Sequence, residues 1–225
     1  MSRKSRVRIA ITVSALLVCG GVITVEKIVS SKIATRVEEQ LPSASGISAS
    51  IPFFDLPSNI HSDSIKTVEI NIDEYTLKGS DRKTSLTISA KDISKSQPTQ
   101  IGSLEITSTV PITQLLAESG FNDAEIIDDA LQISVGAGGV GKALLVPAYA
   151  NGQIYFQLKS VSVMGSPIPA SSLPADIQEQ IKSRTAKDLT VPAGLKVKSV
   201  SISAKGLSVS FQGKNINLDN LALSL

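Results

Sequence analysis

Tryptophan is absent from this 225-residue chain, and the aromatic complement is five Phe and three Tyr. A single cysteine, Cys19, excludes a disulfide framework and a cysteine-based metal site. A single histidine, His61, excludes a histidine cluster for a metal. It stands beside Ser62, Asp63 and Ser64, but a Ser-His-Asp relay is assembled across a fold rather than within one loop. No D-x-D-x-D-G run offers an oxygen-only calcium loop. Charge of neither sign dominates. The net charge is +2, yet Arg3, Lys4, Arg6 and Arg8 all precede residue 9, and the remainder is slightly acidic. There is no basic body for nucleic acid and no acidic tail. Between Asp129 and Asp176 no acidic residue occurs at all.

What the chain does have is aliphatic residues interleaved with Ser and Thr. That is the composition of many strands with one apolar and one small polar face. The length suffices for one domain, or two small ones, with a substantial core. The four N-terminal basic residues precede "IAITVSALLVCGGVITV" (9–25), which carries no charge. As a helix this run reaches about 26 Å, near the lower limit for crossing a bilayer. The pattern predicts a basic cytoplasmic flank (1–8), a signal anchor or transmembrane helix (9–25) and an extracytoplasmic domain (26–225). "CGG" is a weak cleavage site, and cleavage there would release the domain. Val18 before Cys19 makes a poor lipoprotein box.

Helical spacing places Ile28, Val29, Ile33, Val37 and Leu41 on one stripe. A second helix is expected in "SSLPADIQEQIKSRTAKDL", capped by Ser171 or Ser172, with Pro174 in its first turn and Ile177, Ile181 and Leu189 as its stripe. A short helix is expected at Pro111–Glu118, and a looser one near 122–130. Nearly everything else alternates with period two. Val68, Ile70 and Ile72 form one inward set, followed by Leu86, Ile88 and Ala90, Leu104 and Ile106, and then Leu131, Ile133 and Val135. Asn151-Gly152 is a two-residue hairpin signal. It leads to the expectation that Leu144, Val146 and Ala148 share a face with Ile154, Phe156 and Leu158. A final hairpin carries Val200, Ile202 and Ala204, turns at Lys205-Gly206 and returns through Leu207, Val209 and Phe211. Nine or ten strands against two substantial helices make an α+β protein with a long antiparallel meander.

The stretch "SVGAGGVGKALLVP" (134–147) fits G-x-G-x-x-G and nearly fits a P-loop. Both motifs need a helix after the glycines, to set its N-terminus against phosphate. Pro147 and Asn151-Gly152 cut the next segment short, and it reads as a strand. Ala143 replaces the hydroxyl that would bind Mg²⁺. The glycines are therefore expected to form a hairpin turn, with no nucleotide bound. Asp73-Glu74 and Asp128-Asp129 are the available carboxylate pairs, and each is read as covering a turn or a surface rather than serving as catalyst in a hydrolase. No catalytic residue, metal or cofactor is expected.

A meander with so many inward aliphatics makes more apolar wall than two amphipathic helices cover. It either closes on itself or curls round a helix and leaves an apolar groove. Outside the cytoplasm, beside a membrane anchor, the natural occupant of such a groove is an acyl chain. The residues expected to line it are Phe53, Phe54, Leu56, Ile60, Ile112, Leu115, Leu116, Phe156, Ile177, Ile181 and Phe211.

The N-terminal anchor, "SIPFFDLPSNIHSDSIKTVEINIDEYTLKG", "TVPITQLLAESG" and "LTVPAGLKVKSVSISAKGLSVSFQGKNINL" resemble the actinobacterial lipomannan elongation factor A-like family, over about residues 5–218. That resemblance implies a tubular lipid-binding fold, in which a long curved sheet wraps one or two helices. It also implies non-enzymatic binding or shuttling of phospholipid, including phosphatidylinositol types, at the outer side of the plasma membrane. The implied process is lipid-linked mannan biogenesis, with an envelope glycosyltransferase as partner enzyme. Where members often have a basic residue after the aromatic-Pro segment, this chain offers only His61. The rival reading is a scaffolding module with a closed core and no lipid, recruiting envelope enzymes through its strand edges.

Overall fold

The computed structural model describes residues 34–35, 37–38, 41, 43–52, 62–76, 83–96, 99–119, 124–135 and 140–217. The expected anchor lies outside these residues, as do most of the helix expected over 26–41 and the turns at 136–139 and 53–61. Within the latter helix Ala34, Thr35, Val37 and Glu38 are helical, and Val37 and Leu41 are buried as the stripe requires.

Antiparallel strands dominate. Sheet one has the strand order β1 (Ala44–Ser50), β2 (Ser64–Thr76), β3 (Lys83–Ser94), β4 (Gln100–Pro111), β12 (Gly206–Asn217) and β11 (Lys196–Ser203). Between β4 and β11 the chain forms helix α1 (Ile112–Ser119), then β5 (Glu125–Ile127), β6 (Ala130–Val135), β7 (Gly141–Ala150), β8 (Gln153–Val163) and β9 (Ser166–Pro169). Helix α2 (Ala175–Thr185) and β10 (Lys187–Asp188) follow. Sheet two runs β10-β8-β7-β6-β5, with β9 also paired to β8. The chain clusters into two compact units. One gathers Thr109–Thr190 and Ser199–Val209; the other holds the described part of Ile9–Ser108 with Val191–Lys198 and the remainder from Ser210.

In the second unit, cross-strand pairs Ile72↔Leu86, Ile70↔Ile88 and Val68↔Ala90 place the expected aliphatics on one buried face. Period two then breaks at a common level. Buried residues are three apart at Ile65/Val68, Ala90/Ile93, Ile101/Leu104 and Gly213/Ile216. A strand shows the same face every second residue, so alternation is interrupted there: Asp92 on β3 and Asn215 on β12 take left-handed φ of 53° and 52°, while the β2–β3 register runs unbroken from Ser64↔Ser94 to Ile72↔Leu86. The outward face of this unit is finished with hydrogen bonds and ion pairs. Thr107 Oγ1 and Ser210 Oγ lie 2.8 Å apart, and Lys198 Nζ meets Glu105 at 2.7 Å.

Several expectations need correction. The looser helix expected near 122–130 is not formed over 125–130: Asp128 and Asp129 both adopt left-handed φ, 47° and 57°, and turn β5 tightly into β6. The Asn151-Gly152 hairpin forms as expected, but its face assignment was off by one residue. With a two-residue turn Ala150 opposes Gln153, so Tyr149 opposes Ile154 and Pro147 opposes Phe156. A bulge then sets Leu145 opposite Leu158. The odd-numbered residues of β7 therefore share a face with Ile154, Phe156 and Leu158, and Leu144, Val146 and Ala148 lie on the other. The last hairpin turns at Ala204-Lys205, one residue earlier than expected, and Gly206 opens β12.

Helix α2 also differs. Neither Ser171 nor Ser172 caps it; both lie in a separate 3₁₀ turn, and Pro174 holds the N-cap position without a side-chain hydrogen bond. It ends at Thr185, because the edge of β8 takes up Lys187 and Asp188 as β10. No residue of α2 is buried, and Leu189 reaches the core from beyond the helix.

Candidate functional site

The first unit carries a buried apolar row on its sheet. The register sets Leu131, Leu145 and Leu158 in one row across β6, β7 and β8, all buried. Phe156 lies next to this row along β8 and is buried as well. One row further along, Ile133 and Val161 flank Ala143 and are only half-buried. On α1, Ile112, Leu115 and Leu116 follow the i, i+3, i+4 spacing of one helical stripe, and all three are half-buried.

Helix α2 joins this sheet at a gap. Along the outer edge of β8, β9 pairs with residues 160–163 and β10 with 153–154. The stretch between has no strand partner on that side. There the Phe156 N–H donates to Thr185 Oγ1 at 2.9 Å, while the same hydroxyl donates to the Ile181 carbonyl at 2.8 Å. Lys182 Nζ sits 5.3 Å from the centre of the Tyr155 ring. Tyr155 and Phe156 are neighbours in a strand, so their side chains leave β8 on opposite faces. Ile181 is half-buried, and Ile177 is 39% exposed. Phe211, fully buried, belongs to the other unit. Phe53, Phe54, Leu56 and Ile60 lie outside the described residues.

A second feature was not anticipated from sequence. In the other unit a cleft of about 340 Å³ is lined by Asp63, Ser64, Asp92, Ser94, Gln100 and Asn215 among others. Asp92 and Asn215 both hold left-handed φ, 53° and 52°. Gly102 lies against Asp92: a Cβ on it would sit 3.0 Å from the aspartate's own Cβ. Asp92 pairs with Lys66 at 3.2 Å, and Lys95 Nζ donates to the Ser62 carbonyl at 2.7 Å. The sequence signal for this cleft was the spacing of three between buried aliphatics, which alternation alone does not register.

The carboxylate pairs occupy the places that a covering role requires. Asp128 and Asp129 are exposed in their turn. Asp73 and Glu74 lie at the β2 irregularity, Glu74 bound to Lys83 at 2.6 Å. Among the described residues no group of three His, Cys, Asp or Glu side chains could hold a metal ion. After the glycine stretch comes a strand, β7, paired through Gly141 to Val135 of β6. The helix that would present its N-terminus to a phosphate is missing from that place, so neither nucleotide motif has its context.

No family model, no curated protein and no solved structure matches the chain.

Proposed function

We propose that this chain binds or shuttles phospholipid without catalysis, holding an acyl chain against the apolar face of its meander, outside the plasma membrane. The finer fold belongs to the same proposal: a curved sheet wrapping helices, in the manner of tubular lipid-binding proteins. The observation that carries it is the mismatch between sheet and helix. Strand after strand turns aliphatics to one side, while α2 buries no residue and α1 has only eight. Removing a 16-carbon chain from a bilayer costs on the order of 12 kcal/mol, at about 0.8 kcal/mol per CH₂, so the lining must return a similar amount. Half-buried Ile133, Val161, Leu115 and Leu116 are the kind of surface that could return it. The extracytoplasmic location rests on the basic flank and uncharged run at the N-terminus; the phosphatidylinositol-type ligand, the role in lipid-linked mannan biogenesis and an envelope glycosyltransferase partner rest on the sequence resemblance.

The scaffolding alternative draws on a specific observation too. Leu104, Ile106, Leu131, Leu145 and Phe211 have no solvent exposure, so parts of both sheets are already covered. A phosphatidylinositol carrying a diazirine along its acyl chain separates the two readings. Photolysis in vesicles holding the full-length protein should leave adducts on peptides containing Leu115–Leu116 or Ile133. Adducts confined to residues 9–25 would mean a dry core and favour the scaffold.

A further inference from the structure

Among the described residues, the three most exposed large apolar side chains converge at one end of sheet two. Met164 is 86% exposed, Val140 55% and Val163 44%. The register brings them together: Val135, Gly141, Val163 and Ser166 oppose one another across β6, β7, β8 and β9. Val140 immediately precedes Gly141, and Met164 immediately follows Val163. Met164-Gly165 is a two-residue turn with φ of 50° and 84°, and nothing lies within 4 Å of a Cβ placed on Gly165. The tip therefore projects, and an aliphatic at its apex gains nothing from the fold beneath it.

Charge identifies what meets it. All of β6 to β9, and the turns joining them, fall within the acid-free stretch between Asp129 and Asp176. The only charges there are Lys142, one residue from the tip row, and Lys159 on β8, both exposed. The acidic residues of α2 stand clear of this end. Ser166 is at the tip row but Pro169 is opposite Ser160, and α2 continues past Phe156 until Leu189 bonds Gly152 at the far end of β8. Exposed aliphatics with Lys142 beside them, on four strands that themselves carry no carboxylate, match the interface of an anionic bilayer.

We infer that the paired tips at Val140 and Val163–Met164 insert into the membrane interface, with Lys142 against anionic headgroups. This rests on the lipid-handling reading for the choice of a bilayer as occupant, and would give a lipid a short path between membrane and sheet.

The test uses the full-length protein in vesicles of phosphatidylcholine and phosphatidylglycerol. Replacing Cys19 by Ala leaves no thiol, so Met164→Cys and, as control at the other end of β8, Lys187→Cys can each carry one environment-sensitive fluorophore. Label at 164 should shift to shorter wavelength and lose fluorescence to doxyl-labelled lipid; label at 187 should do neither. Adding Val163→Asp should abolish both effects at 164, and Lys142→Glu should weaken them. Water-like emission at 164 overturns the inference, and so does a blue shift without doxyl quenching, which would mean that protein covers the tip. Quenching at 164 without acyl adducts in the fold would end the slot reading alone; adducts without quenching would end this one alone.

Discussion

The unit holding β2 and β3 and the unit holding β6 to β8 are built from the same kind of strand, yet they finish their surfaces differently. The former sets Val68, Ile70, Ile72, Leu86 and Ile88 inward almost without exposure, and closes its outer face with small hydroxyls and ion pairs. The latter buries one row of leucines and leaves Ile133, Val161, Leu144 and Val146 part-exposed, without a carboxylate between β6 and β9. Alternation fixes which residues can face a core. How far they are covered depends on what packs on them, and here the difference leaves one sheet face covered and parts of the other half-exposed.

The sharpest test of how tightly either unit is set is a backbone one. Gly206 has φ of 137°, and a Cβ there would run into the Val110 carbonyl. Gly206→Ala should cost about 3 kcal/mol or more, or prevent folding, as read by urea denaturation. Next is Phe211→Ala, expected to lose about 3–5 kcal/mol by cavity formation, against less than about 0.5 kcal/mol for Ile177→Ala on α2. Equal costs would erase the contrast between a buried sheet and a peripheral helix. A smaller effect is expected at the buried hydroxyl pair, where Thr84 and Ser108 lie 2.9 Å apart. Thr84→Val should cost about 1–3 kcal/mol by stranding Ser108, and adding Ser108→Ala should recover part of it in a double-mutant cycle. Smallest is Lys198→Met. Its ion pair with Glu105 is about half exposed, so thermal unfolding should register at most about 1 kcal/mol, shrinking with added salt.

Much of the strand content was legible because a half-buried strand writes its period into the residues. The inward sets on β2, β3 and β4 were read correctly, as was the Asn151-Gly152 turn. The segment after the glycines is legible as a strand, since Pro147 cannot continue a helix. The errors share a cause. Counting across a hairpin demands the turn length and every bulge, and one residue of slip moved Leu144, Val146 and Ala148 to the wrong face. Asp128-Asp129 looked compatible with a helix, because αL tolerance in Asp is a property of turns that hydrophobic spacing does not report.

The candidate site was less legible than the strands. Phe156 and Phe211, both expected in the apolar lining, are buried, but in different units. Ile177 was assigned to a stripe by helical spacing, yet α2 meets the sheet mainly through Thr185 and Lys182, which fill a gap left between β9 and β10. No sequence pattern marks the tip at Met164, since exposure of a lone methionine depends on where a hairpin ends.

Local chemistry was enough to determine the strands, their inward residues and the tight turns, because period, β-branching and tolerance of positive φ act over a few residues. Tertiary structure alone decided at which level alternation breaks in the first sheet, where α2 docks, and which aliphatics stay wet. Those outcomes depend on register and neighbouring strands, which bring together residues that the chain keeps far apart.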